Sequence, residues 1–249
     1  MSRGRALAAL SVLTAEQWGM VTAAQARWLG VSRVDIGRLL ADGALELVEG
    51  AARVYRLAGC PPDPELDPLR GAWLQLGNDR PAMLRLADPD AVTSHRSAAN
   101  ALGLGDVIAG AHEFYVTRRC QPRRRDLRLR GWGTLGRDQW DVHGGLPVCM
   151  ADRIVADLLA DREDESAVAG ICQDAVHAGL LDPGCLAGLA APHSVAYGAA
   201  DAAKLAARLL GTAANYGAVG TAAKYRAASY GAANYGAANY GAVDAGGEA

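Results

Sequence analysis

Residues 5–58 begin with three short runs of apolar residues at helical spacing. Each run ends at a glycine, the residue type that most often terminates a helix, and the second and third runs start directly after Thr22 and Ser32. A hydroxyl at such a position accepts a hydrogen bond from the first helical turn, so the pattern predicts three helices with these two residues as N-caps. In the third helix, the residues expected to face inward are Val34, Leu39 and Leu40, with either Ile36 or Gly37.

After the helices, apolar and polar residues alternate in two short runs, 45–48 and 53–57, separated by the segment EGAA. Alternation on both sides of a short polar connection predicts a β-hairpin. Three short helices, the last two joined by a tight turn, followed by a hairpin, is the order of a winged helix-turn-helix. We therefore expect residues 1–59 to form a DNA-binding domain that presents its third helix to the major groove.

The remainder of the chain divides into three stretches of different character. Residues 60–68 are rich in proline and acidic residues, which predicts a stiff linker. Residues 69–212 mix helical and alternating patterns and predict a domain of mixed helices and strands, so the expected fold class is α+β. Residues 213–249 repeat a five-residue Asn/Ser-Tyr-Gly-Ala-Ala unit whose frequent glycines oppose helix formation, and we expect a disordered tail.

Composition narrows the classes of partner. A net charge of −2 argues against binding nucleic acid or membrane through the overall field, so any anion contact has to come from local groups. No stretch approaches the roughly 18 consecutive apolar residues of a membrane span. The five cysteines lack the spacing of a metal site or a disulfide framework. We expect a cytoplasmic protein without a metal or other cofactor.

Candidate DNA-binding residues lie on the predicted third helix and on the hairpin: Ser32, Arg33, Asp35, Arg38, Arg53, Tyr55 and Arg56. Arg33 and Arg38 are five residues apart, so they splay around one side of the helix, where each can form bidentate contacts to guanine. Ser32 or the helix N-terminus suits a phosphate. Asp35 would disfavour indiscriminate binding. The alternative interpretation is a protein-binding winged helix on which these are ordinary solvated charges.

A second basic segment lies between residues 118 and 130 and contains Arg118, Arg119, Arg123, Arg124, Arg125, Arg128 and Arg130. On a strand, alternation puts Arg128 and Arg130 on one face and leucines on the other. The segment suits additional phosphate contacts or an acidic protein surface. It equally suits a solvated strand and loop whose arginines pair with the acid-rich run DREDES, and the sequence leaves both interpretations open.

The run TSHRSAANALG invites a catalytic interpretation because Ser94 and His95 combine a nucleophile with a base. Neighbouring residues at a helix start point in different directions, however, and helix capping favours serine there, so we expect structural roles. Neither lysine is preceded at two residues by a carboxylate, so the Asp/Glu-x-Lys pattern of a metal-dependent nuclease is absent. We expect no catalytic residue and no enzyme activity. Arg153 is expected to pair with Asp152, Asp157 or a strand end.

Several motifs in one order resemble the AbiEi family of antitoxins from type IV toxin–antitoxin systems: GVSRVDIGRLLADG, GAARVYRLAG, TSHRSAANALGLGDVIAG, FYVTRRCQPRRRDLRLR and GLPVCMADRIVADLLAD. The resemblance spans roughly residues 5–210. It departs from the family at the hairpin, which is less basic, and at CMADRIV, which keeps only Arg153 of the usual pattern. The resemblance implies a bacterial antitoxin that represses its own operon through the winged helix and restrains a nucleotidyltransferase-like toxin. Our own expectation is cooperative binding to repeated half-sites of operator DNA, as a homo-oligomer on DNA. A protein-interaction module without specific DNA binding, or a metal-dependent nuclease relative, are the alternatives.

Overall fold

The computed structural model describes residues 1–77, 79–118, 124–133 and 135–211. Its N-terminal part contains α1 (Arg3–Ala15), β1 (Met20–Thr22), α2 (Ala23–Trp28), α3 (Arg33–Ala41), β2 (Leu45–Leu47) and β3 (Val54–Leu57). The three strands form an antiparallel sheet in the order β1-β3-β2. The three helices and the hairpin are present in the predicted order, whereas β1 was not predicted.

Reciprocal side-chain caps start α2 and α3. The Thr22 hydroxyl accepts a hydrogen bond from the Gln25 backbone N–H at 3.1 Å, while the Gln25 side chain accepts one from the Thr22 N–H at 2.9 Å. Ser32 and Asp35 form the same arrangement at the start of α3, both at 3.1 Å. Each cap satisfies two backbone donors that a helix start leaves unpaired. Both predicted N-caps are confirmed.

The prediction for the inward face of α3 is partly wrong. Ile36 and Leu39 are buried in the N-terminal core, as expected. Val34 is 61% exposed and Gly37 is also exposed. The reason is that Asp35, the capping partner, shares the inward arc with Ile36 and Leu39, and this arc turns Val34 outward.

The second part contains α4 (Asp67–Leu76), α5 (Ala82–Ala87), β4 (Ala91–Thr93), α6 (His95–Leu102), β5 (His112–Val116), β6 (Leu127–Gly131), β7 (Trp140–His143), β8 (Leu146–Cys149), α7 (Ala151–Ala160), α8 (Glu165–His177), α9 (Leu186–Ala190) and α10 (Ala202–Leu209). Its five strands form one sheet in the order β6-β5-β4-β8-β7. The β4–β5 and β7–β8 pairs are antiparallel, and the β4–β8 and β5–β6 pairs are parallel. With two sheets and helices in both parts, the described chain is α+β, as predicted.

One hydrophobic core joins the N-terminal part to the second part. Met20, Val48 and Val54 pack into the same buried cluster as Trp73 and Phe114. The segment 60–68 is tied to this core at its end, because α4 begins at Asp67, whose carboxylate pairs with Arg56. The predicted tail, residues 213–249, lies outside the described residues.

Within the described ranges, no helix is long and apolar enough to cross a membrane. The same ranges contain no group of three or more His, Cys, Asp or Glu placed to hold a metal ion. Their cysteines, Cys60, Cys149, Cys172 and Cys185, are free thiols.

Candidate nucleic-acid interface

The outer face of α3 carries the two arginines singled out by the sequence. Around a helix of 3.6 residues per turn, the exposed positions follow one another in the order Arg33, Gly37, Ala41, Val34 and Arg38. The arginines therefore lie at the two edges of one continuous arc. The Arg38 side chain is 68% exposed and lies 3.7 Å from the Asp35 carboxylate, a contact too long and too exposed to immobilise it.

Asp35 lies on the other side of α3. Its carboxylate accepts hydrogen bonds from the Ser32 hydroxyl at 2.6 Å and from the Met1 amino group at 3.2 Å. Hydrogen bonds from Ser32 are the main cause that lowers the pKa of Asp35 to about 2, and the amino group adds to it. Asp35 and Ser32 therefore hold the start of α3, and Asp35 does not belong to the outward face.

The three candidate residues of the hairpin lie in three different environments. Arg53 is exposed and adopts a positive φ of 61° at the entry to β3. Tyr55 is half-buried and packs against the N-terminal core. Arg56 is 7% exposed, and its guanidinium is ion-paired with Asp67. The residues of β3, the central strand of its sheet, are buried or half-buried, and Arg53, which precedes the strand, is the candidate among these three that lies on the exposed surface.

The tip of the hairpin is docked on the second part. Ala51 packs so closely on Gly71 of α4 that a Cβ at Gly71 would overlap it. The Gly50 carbonyl accepts a hydrogen bond from Arg124 Nη2 at 2.8 Å, and the Gln75 side chain donates to the Ala52 carbonyl. The hairpin is therefore fixed in position by α4 and by the basic segment.

The basic segment divides into paired and exposed arginines. Arg128 Nη1 donates to Glu113 Oε1 at 3.1 Å, and Arg130 pairs with Asp161, the first residue of the DREDES run. Leu127 and Leu129 pack against the core from the other face, as alternation predicts. Arg130 thus shows the pairing expected for a solvated strand.

Arg118 and Arg125 are exposed, and neither forms an ion pair with another residue in the described part of the chain. Arg125 directly follows Arg124, the residue that contacts the hairpin tip. Arg119 and Arg123 lie outside the described residues. Arg125 is consequently next to the residue that holds the hairpin tip, a placement that the sequence could not indicate, whereas Arg118 follows the opposite end of the parallel β5–β6 pair.

A buried polar network that sequence reasoning did not assemble lies between β5 and α7. The Tyr115 hydroxyl donates to Asp157 at 2.7 Å, and Arg153 donates both to that hydroxyl at 2.7 Å and to Asp157 at 2.8 Å. The predicted pairing of Arg153 with Asp157 is confirmed. His95 is 2% exposed, and its two ring nitrogens lie 3.9 and 3.8 Å from the carboxylates of Asp157 and Asp161. We call these five residues the His95 network.

Burial governs the charges of the His95 network. It lowers the pKa of His95 to about 4, with the Arg130 charge acting in the same direction, and it raises the pKa of Tyr115 and of Asp157. His95 is therefore neutral at pH 7. Ser94 is fully buried beside it. This enclosed arrangement supports the structural interpretation of the TSHRSAANALG run, in which the network holds α6 and α7 on the sheet.

We expect His95 to make the stability of the protein depend on pH. Its pKa is about 4 when folded and has an ordinary value of 6.5, so the unfolded chain binds more protons between these two values. Stability should fall as pH falls through this window, by up to about 3 kcal/mol from His95 alone. Urea unfolding at about pH 7 and about pH 4.5 measures the change.

The matched variant is His95→Asn, because asparagine does not titrate and tolerates the positive φ of 51° at this position. Asp157, Asp161 and the surrounding arginines are common to both proteins, so the difference between the two pH profiles isolates the imidazole. Identical profiles would show that protonation of His95 does not oppose folding.

Comparison with known proteins finds similarity among solved structures. No protein-family model matches the chain, and no curated protein matches it. Among solved structures, the crystal structure of the RV2827C protein from Mycobacterium tuberculosis is similar, with a TM-score of 0.48 and 15% sequence identity over 84% of this chain and 77% of that chain.

Proposed function

We propose that this chain is an antitoxin and a transcriptional autorepressor of a bacterial toxin–antitoxin operon, which binds operator DNA through a winged helix-turn-helix in residues 1–59. The observation that carries the DNA-binding half of the proposal is the outward arc of α3, which has an arginine at each edge and no carboxylate between them. A helix of this kind fits the major groove, where arginine forms bidentate contacts to guanine.

The turn before α3 and the hairpin after it complete the proposed DNA-binding surface. Gly30, at a positive φ of 78°, allows the chain to turn sharply between α2 and α3. Ser32 is exposed and opens α3 with a cap that uses the N–H groups of Ser32 and Asp35, so we assign a phosphate to the other N–H groups of the first turn. Arg53 on the hairpin adds a second cationic point for the DNA backbone.

The position of Arg125 favours a DNA contact for this residue of the basic segment. Arg124 anchors the segment to the hairpin tip, and Arg125 is the next residue. A hairpin that follows the recognition helix lies at the edge of the DNA contact, so a cation beside its tip would meet the flanking phosphates. Arg128 and Arg130 belong instead to the ion pairs with Glu113 and Asp161.

The antitoxin half of the proposal rests on the sequence motifs that resemble the AbiEi family. It assigns to the second part the tasks of oligomerisation on DNA and of counteracting a nucleotidyltransferase-like toxin. The cognate toxin and double-stranded operator DNA are therefore the two proposed partners.

A protein-interaction role for the winged helix is the second candidate. The observation that favours it is the exposure of large apolar side chains on the N-terminal part, Trp28 on α2 and Leu47 on β2, each more than half exposed. Exposed apolar side chains are typical of protein contacts when they form a continuous patch. This role would dispense with specific DNA binding.

A salt-titrated binding assay separates the two candidates. The full chain is titrated with the duplex upstream of its own gene and with a scrambled duplex of equal length. We expect the specific duplex to bind at least about a thousandfold more tightly. The logarithm of the affinity should fall linearly with the logarithm of the salt concentration, with a slope of about one per phosphate contact. Arg125→Ala should lower that slope by about one, whereas Arg5→Ala, the same charge change on α1, should not. Equal and weak binding to both duplexes would favour the protein-interaction role.

A further inference from the structure

Gly37 lies in the middle of α3, where a glycine serves no purpose in the fold. Its φ is not in the left-handed region, so the backbone does not require it. A Cβ built at this position meets no atom within 4 Å, so close packing does not require it either. Glycine is among the least favourable residues in a helix interior because its backbone loses the most freedom on folding. Gly37 therefore destabilises α3, and neither the backbone conformation nor the packing of the protein requires it.

The positions between the two arginines on the outward arc carry no long side chain. Gly37, Ala41 and Val34 follow one another there, and the long side chains of Arg33 and Arg38 lie at the two edges. A flat partner can thus approach the helix backbone at the centre of the arc while the arginines reach around it. Glycine commonly marks such a close approach of backbone to a ligand.

Val34 is the large apolar side chain of this arc. It is 61% exposed and belongs to neither buried cluster of the described residues. In the major groove, the apolar group that an outward valine meets is the C5-methyl group of thymine. The two arginines on either side are suited to guanine.

We infer that Gly37 is the point where base edges come closest to the α3 backbone, and that Val34 reads the methyl group of a thymine that lies between guanines contacted by Arg33 and Arg38. The inference rests on the proposed function and specifies the chemistry of its operator. It makes Gly37 and Val34 determinants of specificity, although neither has a polar group to offer.

The test at position 37 relies on one substitution that should raise the stability of the free protein and lower its affinity for DNA. Gly37→Ala should raise the Tm of the free protein by about 2–4 °C and weaken binding to the specific duplex by at least about fivefold. Gly188→Ala is the matched control, because Gly188 is also exposed inside a helix with nothing within 4 Å of a Cβ. It should not weaken DNA binding. Unchanged operator affinity of Gly37→Ala would overturn the inference about this position.

The test at position 34 uses uracil, which lacks only the methyl group of thymine. Replacing the thymines of the specific duplex by uracil one at a time should weaken the wild-type chain by about fourfold at one site. Val34→Ala should bind the thymine and uracil duplexes equally at that site. A wild-type chain that is indifferent to every replacement would refute the methyl contact. If the wild-type chain did not bind the unmodified duplex specifically, the proposed function itself would be refuted. This outcome differs from specific binding that is indifferent to uracil, which refutes only the methyl contact.

Discussion

Replacement of both Arg33 and Arg38 by alanine is expected to abolish specific operator binding and to leave the fold intact. Each bidentate contact to guanine contributes about 1–3 kcal/mol, which corresponds to roughly 5- to 150-fold for a single replacement and to about 25-fold or more for both. Neither side chain is buried, and the 3.7 Å contact between Arg38 and Asp35 contributes little to stability. Fluorescence anisotropy with the specific and scrambled duplexes measures the loss.

Lysine variants distinguish recognition from simple attraction. Arg33→Lys and Arg38→Lys keep the charge and remove the planar fork, so the salt slope should persist while the preference for the specific duplex declines. Arg5→Ala serves as the control for a lost charge on another exposed surface of the N-terminal part. If the alanine variants lost affinity equally for both duplexes, the arginines would act only on phosphates, and α3 would not be the element that reads sequence.

Features with local causes could be predicted from the sequence. Thr22 and Ser32 were identified as N-caps because a cap depends on residues within one helical turn of it. The hairpin could be predicted for the same reason, since alternation on both sides of a short turn fixes its pairing. The strand β1 could not be predicted, because its three residues are too few to show an alternation of apolar and polar positions.

Features that depend on distant residues could not be predicted. Whether an arginine is free or paired is decided by partners far along the chain, such as Asp161 for Arg130 and Gly50 for Arg124. The orientation of Val34 is a separate case with a local cause, because its neighbour Asp35 closes the cap and occupies part of the inward arc. The sequence therefore predicted which elements carry the candidate interface, and the packing decided which of their side chains reach its surface.

The docking of the hairpin has a consequence for the proposed repressor. Ala51 and Gly50 are held by α4 and Arg124, and Val48 and Val54 lie in the shared core. The position of the hairpin relative to α3 therefore depends on the second part, even where that part does not contact DNA. A fragment cut at residue 59 would expose these core residues and leave Arg56 without Asp67, so the full chain is the appropriate protein for binding experiments.

Disruption of the Arg56–Asp67 ion pair is expected to destabilise the protein by about 3–5 kcal/mol without affecting DNA recognition by the folded chain. Both side chains are more than nine-tenths buried, so removing Asp67 leaves Arg56 as an uncompensated charge inside the protein. Removing Arg56 leaves Asp67 with Arg70, 3.5 Å away, so the larger loss is expected for Asp67→Leu. The cost of that charge greatly exceeds the value of the pair itself. Urea unfolding of Arg56→Met and of Asp67→Leu measures the loss.

The double variant, Arg56→Met with Asp67→Leu, should recover much of the lost stability, because it removes both charges and fills the site with apolar atoms.

Arg53→Met is the matched control on the same hairpin. Arg53 is exposed, so its replacement should change stability by less than about 0.5 kcal/mol and should weaken operator binding. Arg56→Met should show the reverse pattern when binding is measured under conditions where it remains folded. Similar stability losses at the two positions would mean that the buried pair does not hold the hairpin on the second part. A binding defect of folded Arg56→Met equal to that of Arg53→Met would return Arg56 to the DNA interface.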